Sequence, residues 1–205
     1  ILRERRDPIT LPDHSDIETV IGCASPKFGA LIRAALLTGC RQNELVTASW
    51  RNFDPLAGTL TIIGKGNKLR VIELSQQALQ FFKSQNRTEK SSFIFCKENG
   101  EPFSQAHSDF THVRRRAILI AAKSGKSIER FRFHDLRHLF AVEALRKGMG
   151  IYELSQHLGH TSVKTTEIYL SHLTPMEKKS AKNPNVKNIE DSEERNHANF
   201  RRLNA

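Results

Sequence analysis

One short interval breaks the helical rhythm of this chain and limits the fold it can take. Residues 50–74 change period. Leu60-Thr61-Ile62-Ile63 and Leu69-Arg70-Val71-Ile72-Glu73-Leu74 are β-branched runs, and Gly64-Lys65-Gly66-Asn67-Lys68 between them reads as a hairpin loop. Adding residues 48–53, through the turn Asp54-Pro55-Leu56-Ala57-Gly58, gives a small three-stranded antiparallel sheet. Most of the remainder follows helical spacing. The predicted class is therefore α+β, mostly helical with one small three-stranded antiparallel sheet.

The helices carry their own punctuation. Asp13 or Ser15 can cap a short helix through Ile21. Pro26 opens a stronger one with Phe28, Leu31, Ile32, Ala35 and Leu36 on one face, and Gly39 is a natural stop. Ser75 begins another, with Ala78, Leu79 and Phe82 inward, and residues 91–96 form a short extended run. Ser104 is read as the cap of a long helix through Ala122 whose buried stripe is Phe110, Val113, Ala117, Ile118 and Ala121. Further helices are read at 134–147, around Ile151, Leu154 and Leu158, from Ser162 through Tyr169, and from Thr174 to Lys182. From residue 183 the chain is polar and charged, which predicts a disordered tail.

Composition narrows the function classes. Apolar runs such as Ala34-Ala35-Leu36-Leu37 are far too short for a membrane span. Cys23, Cys40 and Cys96 are odd in number and contain no CxxC pair, against a disulfide framework or a cysteine zinc site, and a reducing cytoplasm is expected. Lysine and arginine total 32 against 22 acids, a formal charge of +10 that favours a polyanionic partner. The chain starts at Ile1, so a fragment of something longer is expected.

The chemistry concentrates in residues 133–170. His134 and Arg137 are three apart and share a helix face. His160 follows Gly159, and Tyr169 closes the stretch. A cation, imidazoles and a phenol held on short helices suggest phosphate chemistry. Earlier, Arg41 and Glu44 are one turn apart. They form either an ordinary surface ion pair, which is the reading this segment alone favours, or a support that aims Arg41 at an anion. Lys65 at the hairpin tip is either a solubilising charge or a mobile proton donor.

Taken in order, Thr38-Gly39-Cys40-Arg41-Gln42-Asn43-Glu44-Leu45, the Gly64-Lys65-Gly66-Asn67-Lys68 hairpin, His134-Asp135-Leu136-Arg137-His138, Leu158-Gly159-His160 and Tyr169 resemble the tyrosine recombinases, the phage integrase family. The resemblance covers residues 11–173. It implies that Arg41 and Arg137 clamp a scissile DNA phosphate, that Lys65 protonates the departing 5′ oxygen, and that His134 and His160 hold the phosphate and help move protons. Tyr169 would be the nucleophile, with Glu44 and His138 as supporting residues. The chemistry is coherent: fixed guanidinium groups stabilise the charge of the transition state, and nearby cations favour a phenolate. No cofactor or metal is needed. Leu139 departs from the small polar residue usual there, which touches packing more than chemistry.

The resemblance also implies an organisation. Residues 1–12 would be a basic linker from a missing N-terminal DNA-binding domain, 13–174 the catalytic domain, and 175–205 a C-terminal tail. Double-stranded DNA is the expected partner, bound by a homo-tetramer in which the segment around Met176 docks in trans, with room for accessory DNA-bending proteins. The expected setting is the cytoplasm, at the nucleoid when bound. Arg114, Arg115, Arg116, Lys68 and Arg70 are expected to face DNA; His107, His112, His157 and His172 receive no role. Three rivals remain. His134 and His138 have the i, i+4 spacing of a zinc hydrolase motif, but Asp135 stands where its general base would be. A type IB topoisomerase or telomere-resolving enzyme shares the Tyr and Arg chemistry, and a non-cleaving DNA-binding module would lack a reason for the complete residue set.

Overall fold

The computed structural model describes residues 9, 11–64 and 68–182. The chain divides into two units between Phe140 and Ala141.

In the first unit, α1 (His14–Gly22) starts at Asp13, whose carboxylate accepts from the Ser15 amide at 2.7 Å. Next, α2 (Pro26–Thr38) is capped by Ser25 and ends on Gly39 at φ 64°. The short α3 (Gln42–Val46) follows, then a 3-10 turn at Trp50–Asn52. The sheet has order β1-β2-β3, with β1 (Phe53–Asp54), β2 (Thr59–Ile63) and β3 (Leu69–Glu73) all antiparallel. After it come α4 (Gln76–Lys83), capped by Ser75, and the long α5 (Ala106–Lys123). Helix α6 (Phe133–Arg146) begins in this unit and runs across the division.

Sheet burial explains its orientation. Leu60, Ile62 and Ile72 are buried, while Leu69, Val71 and Glu73 face outward. The inner face joins a core of Leu31 and Ile32 from α2, Leu45 from α3, and Phe82 and Phe95, whose rings meet edge to face at 5.6 Å. On α5, Phe110 packs against Phe131 at 5.7 Å and Phe133 at 5.4 Å. That aromatic group fixes the chain where it enters α6.

In the second unit, α7 (Ile151–Leu158) buries Ile151, Leu154 and Leu158 and stops at Gly159, φ 67°. It packs against α8 (Lys164–Glu167), which leads into a 3-10 segment at Ile168–His172 and then α9 (Pro175–Lys182).

Several expectations need correcting. The first strand is Phe53–Asp54 rather than 48–53. Ser49 and Asn52 close a turn instead, and the Ala48 carbonyl accepts from Ile94 at 2.9 Å. Residues 91–96 contribute only isolated bridges, Ser49 with Phe93 and Cys96 with Pro102. Ser104 does not cap α5; Gln105 precedes its first residue without a side-chain cap bond. The helix expected from Ser162 through Tyr169 is broken into α8 and the tighter 3-10 turn. Residues 1–8 and 10 of the expected linker, residues 65–67 of the expected hairpin loop, Lys65 among them, and the tail beyond Lys182 lie outside the described residues. Among the described residues no helix is long and apolar enough to cross a membrane.

Candidate active site

Gly39 ends α2 in the left-handed region, and this turn delivers Arg41 to the start of α3. There Glu44 reaches back, accepting from the Arg41 backbone N–H at 2.7 Å and from its guanidinium at 2.9 Å. From the sheet, Arg70 donates to both oxygens of the same carboxylate at 2.8 and 2.9 Å. The Glu44 side chain is only 4% exposed. This is therefore not the ordinary surface pair that the local sequence favoured. Burial alone would raise the Glu44 pKa, but the Arg70 and Arg41 hydrogen bonds outweigh it and hold it at about 2.

Arg137, on α6, is almost fully buried and donates to the Gly39 carbonyl at 2.9 Å. It is thus tied to the turn that carries Arg41. Cys40 lies between, buried, and its thiol is pushed up to about 11 by burial, so it is protonated at neutral pH. At the start of α6, Asp135 is buried and accepts from the Arg132 amide at 2.6 Å and its guanidinium at 3.0 Å. This orients the helix turn that bears His134.

His134 opens to solvent, yet desolvation by its packed neighbours, then the charges of Arg137 and Arg41, lower its pKa. The His138 ring meets it edge to face at 4.7 Å. His138 is buried, and burial, then the His134 charge, bring it down from 6.5 to about 4. His138 therefore supports His134 as a neutral ring. Among the described residues no three His, Cys, Asp or Glu side chains are grouped to hold a metal ion.

The acid response follows with its sign. A folded pKa below the unfolded one means that the unfolded chain takes up the proton first. For His138 the contribution is complete above pH 6.5 and is lost as pH falls towards 4, amounting to about 3 kcal/mol. For Glu44 the loss starts only below 4.5 and runs to about 2. The urea midpoint should fall between pH 6.5 and 4, and His138→Gln should flatten that part of the profile. A wild-type midpoint constant through this window would contradict the assignment.

In the second unit, Gly159 turns α7 off, and the His160 amide donates to the Ser155 carbonyl at 3.0 Å. His160 Nδ1 lies 2.8 Å from the hydroxyl of Thr166, which is completely buried. Tyr169 sits in the following 3-10 turn, with 1% of its surface exposed. At the end of α6, the Arg146 guanidinium donates to the His172 carbonyl at 3.1 Å and holds the end of that turn.

The structure thus groups Arg41, Glu44, His134, Arg137 and His138 in the first unit, and His160 with the Tyr169 turn in the second. Lys68, Arg115 and Arg116 are exposed, as a DNA-facing role requires. Two surface assignments are overturned. Arg114 is buried in the α5 stripe and donates to the Phe131 carbonyl. Arg70 is turned inward onto Glu44. Sequence reading also passed over Thr166, Asp135 and Arg132. Thr166 left one signal, its place three residues before Tyr169, which puts it one helical turn away.

Residues 13–175 match the phage integrase family. Tyrosine recombinase XerD of Vibrio cholerae is 28% identical over 179 residues, covering 79% of this chain and 58% of that protein. Tyrosine recombinase XerD of Rhizobium meliloti is 31% identical over 151 residues, 71% of this chain and 47% of that protein. The chain spans about half the length of these relatives. Among solved structures, the Tn1549 transposon integrase in complex with a circular intermediate DNA superposes with TM-score 0.67 at 19% identity, covering 87% of this chain and 67% of that one. XerA recombinase gives TM-score 0.60 at 24% identity, with 86% and 64% covered. These structural likenesses establish a shared fold. With the family match running unbroken from the first described helix to the start of the last, the chain belongs to the phage integrase family.

Proposed function

We propose that this chain is the catalytic part of a site-specific DNA recombinase that breaks and rejoins strands through a covalent 3′-phosphotyrosyl link. The observation that carries the reading is the bond from the Arg137 guanidinium to the Gly39 carbonyl at 2.9 Å, which ties α6 to the turn that leads into Arg41, while His134 lies one helical turn before Arg137 and has its pKa lowered by desolvation and then by the charges of Arg137 and Arg41. Such a group suits the non-bridging oxygens of a phosphodiester, whose negative charge grows in the transition state.

In this reading Arg41 and Arg137 clamp the phosphate, and His134 and His160 donate hydrogen bonds to it. The Tyr169 oxygen attacks phosphorus as its proton passes to an imidazole. The P–O bond to the 5′ oxygen breaks, and Lys65 protonates the leaving alkoxide. The phosphodiester energy stays in the tyrosyl ester, so attack by a 5′ hydroxyl of another strand reseals DNA without nucleotide or metal. Exposed Lys68, Arg115 and Arg116 would bind the DNA backbone. Strand exchange between two duplexes calls for four protomers, and α9, with Met176 exposed, is the proposed bridge between them.

The test is incubation with a nicked suicide duplex, in which the cleaved end diffuses away and traps the intermediate. A protein–DNA adduct stable on a denaturing gel, with the nucleotide mapped by mass spectrometry to the Tyr169 peptide, is the expected result. Cleavage without any covalent species would refute the mechanism.

A further inference from the structure

We propose that Arg70 is a positioning residue for Arg41: it holds the Glu44 carboxylate from the sheet side, so that Glu44 anchors Arg41 without cancelling its charge. The inference rests on the reading of Arg41 as a phosphate clamp.

The register of the sheet explains why an arginine points inward here. Arg70 pairs with Ile62 and lies two residues before buried Ile72, on the inner face of β3. Its side chain is 15% exposed and meets a carboxylate that is 4% exposed. A carboxylate offers about four acceptor positions on its two oxygens. Glu44 uses them on four donors: Oε1 takes one guanidinium nitrogen from Arg41 and one from Arg70, and Oε2 takes the Arg41 amide and the second Arg70 nitrogen. The parallel fork of Arg70 fixes the plane of the carboxylate, a geometry that lysine cannot reproduce.

Charge counting gives the functional consequence. Arg41 and Glu44 alone sum to zero, and a neutral pair is a poor site for a phosphate. With Arg70 the group keeps one net positive charge. The more exposed member is Arg41, at 41% of its side chain, so that charge is presented outward by Arg41 rather than by Arg70. Glu44 thereby fixes where Arg41 stands, and Arg70 offsets the charge of the carboxylate that holds it.

The experiment compares the 205-residue chain with Arg70→Lys, Arg70→Met and the double variant Glu44→Gln/Arg70→Met. Single-turnover cleavage of the nicked duplex is measured beside a carbon-13 titration of the Glu44 carboxyl. Arg70→Met should cleave about 100-fold more slowly, the order that a misplaced positioning group costs, with DNA affinity nearly unchanged. Arg70→Lys should fall between it and the wild type. The double variant, which removes the carboxylate that would otherwise neutralise Arg41, should recover at least roughly tenfold over Arg70→Met. A purely structural role would give no such rescue. The Glu44 titration should move up from about 2 in Arg70→Met, because Arg41 is then the one cation among the described residues that hydrogen-bonds it, beside the Cys40 thiol. Wild-type cleavage by Arg70→Met, absence of rescue, or an unmoved titration overturns the proposal. Should the wild type form no adduct, the phosphotyrosyl reading fails, and the titration still decides whether Arg70 controls that carboxylate.

Discussion

Tyr169→Phe should give no covalent adduct on the nicked duplex, a loss of at least about 1000-fold, while binding the same DNA without covalent attachment. The ring stays, and with it the packing of a side chain that is 1% exposed, so stability should change by only about 1 kcal/mol, the worth of a hydroxyl's hydrogen bond. DNA affinity should hold within about threefold, because the cations that release counterions are untouched. Tyr152 is the decisive control. The chain has two tyrosines, and Tyr152 on α7 is 67% exposed. Accessibility alone would choose Tyr152 as nucleophile; the resemblance to the tyrosine recombinases implies Tyr169. Tyr152→Phe should therefore cleave normally. If Tyr169→Phe still forms the adduct and Tyr152→Phe does not, the assignment is wrong.

What could be read in advance divides along physical lines. Helix α2 was legible because cap, apolar stripe and stop signal agreed locally: Ser25-Pro26 opens it, Phe28, Leu31 and Ile32 line its inner face, and Gly39 closes it; α1, α4 and α7 each carried part of that set. The hairpin was legible because its two runs share one period, and they pair in register from Thr59↔Glu73 to Ile63↔Leu69. Interactions decided by distant partners were not. Ala48 and Ser49 look like strand residues, but the hydrogen bonds that place them come from residues 93–94, which no local rule supplies. The arginines are the sharper case. Judged by residue type, Arg114 and Arg70 read as surface cations, since arginine is seldom buried. Both nevertheless sit at inward positions of their own elements. Arg114 lies four residues after Phe110 and three before Ala117, and Arg70 two before Ile72. Periodicity outranked residue type at both places. For Glu44 the family resemblance was the better guide, since a local i, i+3 pair cannot reveal the second arginine that makes it a buried triad.

Gly39→Ala should be among the most destabilising single-methyl changes in the chain, and its control separates two causes. At φ 64° any Cβ meets its own backbone, which costs about 1–2 kcal/mol. At Gly39 the added Cβ would also stand 2.3 Å from the nearest atom of the Phe140 ring, which must move, at about 1–3 kcal/mol more. The sum, about 3 kcal/mol, corresponds to a fall in melting temperature of about 6–12 °C. Gly125 has φ 69° but nothing within 4 Å of the same methyl, so Gly125→Ala should cost the backbone part alone. The difference between the two variants isolates the ring clash, and equal losses would show that Phe140 yields freely. Activity should discriminate further. The Gly39 carbonyl is the acceptor that holds Arg137, and the same turn leads directly into Arg41. A peptide displaced by a few tenths of an ångström moves both guanidinium groups, so Gly39→Ala should lose cleavage well below its melting temperature, while Gly125→Ala cleaves as the wild type does.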